Sequence, residues 1–194
     1  MALATCFSCQ RQTEKGFSDT ELNIINGSDS IMRVLTIEDE SDLEILRSSS
    51  TALSLAALQS EEYEKLAELM VATVTHPSQD GVGIAAPQVG INRRIVAVQR
   101  FDKEGEPFEV YPNIRIVWQS DELAHGPEGC LSVPDRRGDV LRSQEIVIEY
   151  ADIKAVHSAT ETIPVVRDTI SGFTAVIFQH EADHLDGILY IDRL

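Results

Sequence analysis

Cysteine is scarce: Cys6, Cys9 and Cys130 are the only three in 194 residues. So few, and an odd number, exclude a disulfide-stapled framework and point to a reducing compartment or a chemical use of sulfur. Long apolar runs are missing as well. With no stretch of about 18 uncharged apolar residues, a membrane-spanning helix is excluded. Positive charge is in short supply, since 16 Lys and Arg stand against 32 Asp and Glu, for a formal charge of -16. Such a surface repels phosphate backbones and anionic lipid, so no direct nucleic-acid binding is expected. The first residues lack the apolar stretch of a secretory signal, which favours the cytoplasm. Leu3-Ala4-Thr5-Cys6 faintly echoes a lipoprotein processing site, so export or lipid anchoring stays open should the start be a trimmed signal.

What is present reads as one globular domain with an appendage: 43% hydrophobic and 25% charged residues over 194 positions. Residues 1–30 mix polar and small side chains, end in the turn-like Asn26-Gly27-Ser28-Asp29-Ser30, and show no period of two or 3.6 residues. They read as a flexible N-terminal extension preceding a domain at 31–194. Within the extension Cys6-x-x-Cys9 has no second pair to complete a tetrahedral zinc site, so it reads as solvated. The acidic run Glu38, Asp39, Glu40 and Asp42 reads likewise as a solvated face without function. Tyr63, Leu66, Ala67, Met70 and Val74 fall on one helical face behind the N-cap candidate Ser60, which predicts an amphipathic helix ending before Pro77. Runs rich in β-branched and aromatic residues at 95–98, 108–111, 114–118 and 146–150 predict strands. A last helix is expected from Ser171 or Gly172 through His184, with Gly187 as a left-handed stop.

That last helix carries the sharpest chemical signal, His180-Glu181-Ala182-Asp183-His184. Histidines four apart lie one turn above another and can hold one metal ion, with Glu181 as the adjacent base. A catalytic site of this kind needs a third protein ligand and an open position. Only ten residues follow His184, and Tyr190 stands where one metallopeptidase pattern needs its third histidine, so both common metallopeptidase arrangements fail. Upstream candidates are His76, His125, His157 and Cys130, the last within Glu128-Gly129-Cys130-Leu131-Ser132. A thiolate with two imidazoles suits Fe(II), Zn(II), Co(II) or Ni(II), whereas a lone cysteine is commonly just a small buried hydrophobe.

Gly83-Ile84-Ala85-Ala86-Pro87-Gln88, Glu128-Gly129-Cys130-Leu131-Ser132 and His180-Glu181-Ala182-Asp183-His184, in this order, resemble the three signature motifs of the peptide deformylase family. The resemblance spans roughly residues 33–194 and implies an α+β fold, with antiparallel β-sheets packed around the C-terminal helix that carries the two histidines. It implies a metal-dependent hydrolase that removes the N-formyl group from the N-terminal formyl-methionine of nascent polypeptides and releases formate. Cys130, His180 and His184 match the family's metal ligands, for one divalent ion, natively Fe2+, with Zn2+, Ni2+ or Co2+ as substitutes. Metal-bound water is the expected nucleophile, Glu181 the general base and acid, and Gln88 and the Leu131 backbone N–H the oxyanion donors. Gly83 is expected to bind substrate main chain, Val82, Val176 and Ile177 the methionine side chain, and Arg142 either substrate or the site's framework. Glu128 could orient Arg142 or a backbone group, and Asp183 could serve a ligand histidine or be solvated. The chain shows no basic C-terminal docking helix of the kind some relatives use on ribosomes. An inactive relative acting as a binding module, or a general metallopeptidase, are the alternatives.

Overall fold

The computed structural model describes residues 16–194. Cys6, Cys9 and the processing-site echo lie outside the described residues. In chain order, helices α1 (Asp19–Asn26), α2 (Glu40–Leu46), α3 (Leu55–Leu58) and α4 (Glu61–Val74) precede seven strands. These are β1 (Gly83–Ala85), β2 (Ile95–Gln99), β3 (Phe108–Pro112), β4 (Arg115–Gln119), β5 (Leu123–Cys130), β6 (Val133–Ser143) and β7 (Glu145–Ala151). Helix α5 (Ile153–Val156), strand β8 (Val165–Ser171) and helix α6 (Gly172–Leu185) follow. The named strands pair antiparallel in three sheets, β1-β2-β3, β4-β7-β8 and β5-β6. The architecture is α+β, as the sequence suggests. Among the described residues no helix is long and apolar enough to cross a membrane.

Helix α4 starts where a hydroxyl can satisfy an orphan amide: the Tyr63 N–H donates to Ser60 Oγ at 3.3 Å. Glu61, Glu62 and Glu64 in its first turn favour the positive end of the helix dipole. Its stripe of Leu66, Met70 and Val74 is fully buried. Strand β2 is apolar without alternation because both its faces are covered. Ile95 and Ala97 pack with α4 residues, whereas Val96 and Val98 pack with Tyr111, Ile146, Ile148 and, from α6, Ile177 and Phe178. The first sheet thus lies between α4 and α6, and α6 is enclosed by the β4-β7-β8 sheet as well.

Two expectations need correction. Asp19–Asn26, read as unpatterned extension, forms α1 with a full capping box from Ser18 and Glu21, and buries Ile25. The acidic run is not merely solvated: Asp39 caps α2, and Asp42, 3% exposed, accepts both forks of Arg33 at 2.9 and 2.7 Å and the Thr36 N–H. The four expected strands are present within a residue or two, and β1, β5, β6 and β8 join them.

Candidate active site and metal centre

From Ile177 to Leu185 every residue of α6 is buried. Five of these nine are polar: Gln179, His180, Glu181, Asp183 and His184. Burying such groups costs several kcal/mol unless each finds a partner, so their partners define what the helix is for. Gln179 pairs with the Ser143 backbone, accepting its N–H at 3.1 Å and donating to its carbonyl at 2.8 Å. Asp183 accepts from Arg142 at 2.6 Å and from Arg193 Nε and Nη2 at 2.5 Å each, so it neither serves a ligand histidine nor sits in solvent. His180 Nδ1 lies 2.7 Å from Glu128 Oε2, and His184 Nε2 lies 3.2 Å from Cys130 Sγ. Glu181 Oε2 and His184 Nδ1 are buried without a partner among the described residues.

Cys130 arrives at the end of β5, whose register with β6 shifts between Gly129 and Cys130. One donor atom from each of Cys130, His180 and His184 falls within 4.8 Å of the others, close enough for one ion to bridge. Cys130 carries a free thiol. Of the other histidines weighed as ligands, His125 is exposed beside Asp139, and neither His76 nor His157 joins the group.

Electrostatics fit a cation here. Burial alone would push the His180 imidazole down, but Cys130 and Glu128 together lift it to about 10, so the site holds a proton strongly. Burial drives His184 well below its ordinary value, keeping the ring neutral and able to ligate. Burial, which would raise Glu128, is outweighed by His180 and Arg142, which hold it down at about 2. Glu181, with no partner, is pushed up by burial to about 7.

Glu128, Cys130, His180 and Glu181 line a cleft of about 740 Å³, with His184 fully buried behind them. Gln88 is aimed by its own loop: its Oε1 accepts the Ala85 N–H at 2.8 Å, which turns Nε2 toward Ser132 Oγ at 3.2 Å and Cys130 Sγ at 3.5 Å. Gly83 is glycine by necessity, because a Cβ there would meet Glu181 Oε1 at 2.6 Å and Ile177 Cγ2 at 2.8 Å. Leu131, Val82, Val176 and Ile177 line the cleft. Arg142 does not. It is 4% exposed and committed to Glu128 through Nε and Nη2 and to Asp183 through Nη1, so of the two roles left open it braces the framework rather than meeting substrate. Glu128 consequently orients His180 as well as Arg142. Sequence reasoning missed Phe173, half-exposed at the cleft, and Tyr190, whose ring stacks on His180 at 5.9 Å. It also missed Arg136 and Arg137 in the cleft wall.

An antiparallel α+β scaffold that gathers a thiol, two imidazoles and an unpartnered carboxyl within and behind one cleft offers the donor set of a metal-dependent hydrolase. The sequence profile described as Polypeptide deformylase matches residues 31–194. Peptide deformylase of Leptospira biflexa is 35% identical over 158 residues, covering 77% of this chain and 82% of that one. Peptide deformylase 2 of Gloeobacter violaceus is 40% identical over 136 residues, covering 69% and 67%. The Met-Ala-Ser-bound class I type b peptide deformylase of Acinetobacter baumannii superposes with a TM-score of 0.71 at 34% identity, over 84% of this chain and 98% of that one. The chain belongs to the peptide deformylase family, and it is an enzyme of that activity.

Proposed function

We propose that the chain works in the cytoplasm, where it hydrolyses the N-formyl group of a formyl-methionine at the start of a peptide, releasing formate and a free α-amino group. One divalent cation is held by Cys130 Sγ, His180 Nε2 and His184 Nε2. The observation that carries this reading is the convergence of those three side chains within 4.8 Å at the base of the cleft lined by Glu181 with its partnerless oxygen. When bound, the cation supplies Lewis acidity, polarising the formyl oxygen and bringing a water toward ionisation near neutral pH. A thiolate–bis-imidazole set accepts Fe(II), Zn(II), Co(II) or Ni(II), and Fe(II) is the native ion in this reading.

Glu181 takes the proton of the attacking water at Oε2 and delivers it to the departing amine nitrogen. A carboxyl lifted to about 7 exchanges protons readily in both directions near neutral pH. Gln88 Nε2 and the Leu131 N–H donate to the formyl oxygen as negative charge gathers on it, and losing one such donor costs about 10²–10³ in rate. The Gly83 backbone pairs with the extended main chain of the substrate, and Val82, Val176 and Ile177 receive the methionine side chain. A relative bound to Met-Ala-Ser, a peptide that begins with methionine, supports a substrate of that kind.

Formate release from formyl-Met-Ala-Ser, assayed anaerobically with Fe(II) and in parallel with Ni(II), tests the proposal. Turnover that disappears on chelation and returns with either metal is the expected result. No formate with either ion would overturn it.

A further inference from the structure

Nine of the eleven arginines among the described residues hold an Asp or Glu within 4 Å. In a protein with twice as many acids as bases, that is what chance and solvation favour. The two left without an acidic partner among the described residues are neighbours, Arg136 and Arg137. Both are exposed, and both line the cleft that holds Glu181 and Cys130.

Successive side chains of a regular strand point to opposite faces, so two adjacent residues do not ordinarily line one cavity. Here the ladder is broken. Cys130 pairs with Val133, but Gly129 already pairs with Arg137, which leaves Pro134, Asp135 and Arg136 as a bulge in β6. Asp135 adopts φ 58°, a left-handed backbone that non-glycine residues rarely take. Bulges re-aim side chains beside active sites, and this one lets both neighbours, Arg136 and Arg137, contribute to the same cleft wall. The nearby acids do not quench them: Asp80 and Asp135 line the cleft without approaching either arginine within 4 Å, and Glu128 is committed to Arg142 and His180.

We propose that Arg136 and Arg137 form a carboxylate-reading subsite for the peptide downstream of its first residue, so that acidic substrates are favoured. This rests on the deformylase reading above. Paired guanidinium groups match a carboxylate in fork geometry. The carboxylate can come from an Asp or Glu side chain or from the free end of a short peptide, and the assay separates the two.

The substrates are formyl-Met-Ala-Ser amide, formyl-Met-Ala-Asp amide, formyl-Met-Ala-Ser-Asp amide and formyl-Met-Ala-Ser free acid, with the metal-loaded enzyme. A preference for an acidic amide assigns the side chain, and a preference confined to the free acid assigns the terminus. At low ionic strength the favoured acidic peptide is expected to exceed the neutral amide about five- to tenfold in kcat/KM, chiefly through KM. That ratio should fall toward one in 0.5 M salt, as screening demands, and in R136Q/R137Q, while K154Q, an exposed charge outside the cleft, retains it. Should the double glutamine variant fold poorly, R136K/R137K, which keeps charge and loses the fork, is expected to show an intermediate ratio. A wild-type ratio near or below one for all acidic peptides, or a ratio unchanged in R136Q/R137Q, would overturn the proposal. Absence of turnover on the neutral amide would instead sink the deformylase reading.

Discussion

Adding one methyl group at residue 83 is expected to disable the enzyme without unloading its metal. A Cβ on Gly83 would stand 2.6 Å from Glu181 Oε1 and 2.8 Å from Ile177 Cγ2. Glu181 must therefore retreat from 2.6 Å to the 3.4 Å at which ordinary contact begins, about 0.8 Å, and displacements on the order of 1 Å at a reacting group cost about 10² in rate. The carboxyl cannot swing away freely, because it is 4% exposed on a helix whose neighbours are buried on every side. The three atoms nearest the new methyl belong to Glu181 and Ile177, none to Cys130, His180 or His184. Gly83→Ala is thus expected to lower kcat/KM for formyl-Met-Ala-Ser about a hundredfold while metal content, measured by elemental analysis, stays at the wild-type level. Activity within threefold of wild type would refute the reasoning, since it would mean that Glu181 need not sit where Gly83 lets it sit.

Glu181→Gln keeps the volume and removes the base, so kcat should fall about 10³-fold or more with metal content unchanged; an undiminished kcat would remove Glu181 from proton transfer. Cys130→Ser replaces a soft ligand with a poor one, and elemental analysis should find metal loading reduced or altered. Gly187 holds φ 72°, and a Cβ there would collide with the Arg47 carbonyl group, so Gly187→Ala should cost about 2 kcal/mol or more in urea unfolding. Glu128 titrates at about 2 in the folded chain against 4.5 for a free carboxyl. A lowered pKa stabilises the fold fully above about pH 4.5 and loses that contribution as pH falls through 2. Metal-free protein should therefore lose about 3 kcal/mol across that window, and Glu128→Gln should flatten the profile there.

Where a residue's structural state depended on near neighbours, the sequence was readable. Ser60, the first-turn glutamates and the stripe from Tyr63 to Val74 announce α4 locally, and Gly187 announces the end of α6. The β5-β6 ribbon could not be seen that way. Leu123–Cys130 contains Gly126, Pro127 and Gly129, and β6 passes through Asp135-Arg136-Arg137-Gly138-Asp139, both poor strand sequences held by pairing with each other. Strand β8 was hidden by Arg167 and Asp168, charges that an edge strand can carry toward solvent. The histidine pair was legible because one helical turn brings it together. Its thiol lies fifty residues upstream and reaches the rings only through the fold, so family resemblance rather than spacing pointed to it. That Arg142 belongs to Glu128 and Asp183 is likewise a tertiary fact, invisible in a segment that reads only as apolar residues around one arginine.

The buried charges also bear on the valence of the ion. Arg193, Asp183, Arg142 and Glu128 form a continuous chain of ion pairs that ends on His180 Nδ1. Two cations and two anions leave that chain neutral in sum, with Glu128 at its end holding His180. In the proposed metal-bound state, the charges left to the ion are those of a Cys130 thiolate ligand and the Glu181 carboxylate, two negative charges in a water-poor setting. Without a metal, the partial remedies are protons, on His180 at about 10 and on Glu181 near 7. A divalent cation cancels both charges at once and frees those protons for chemistry. A monovalent ion would leave one anion exposed to the full cost of burial, and a trivalent one would hold Glu181 ionised and weaken it as a base. In the proposed site, the framework around α6 therefore favours a divalent ion before any preference among iron, zinc, cobalt and nickel is expressed.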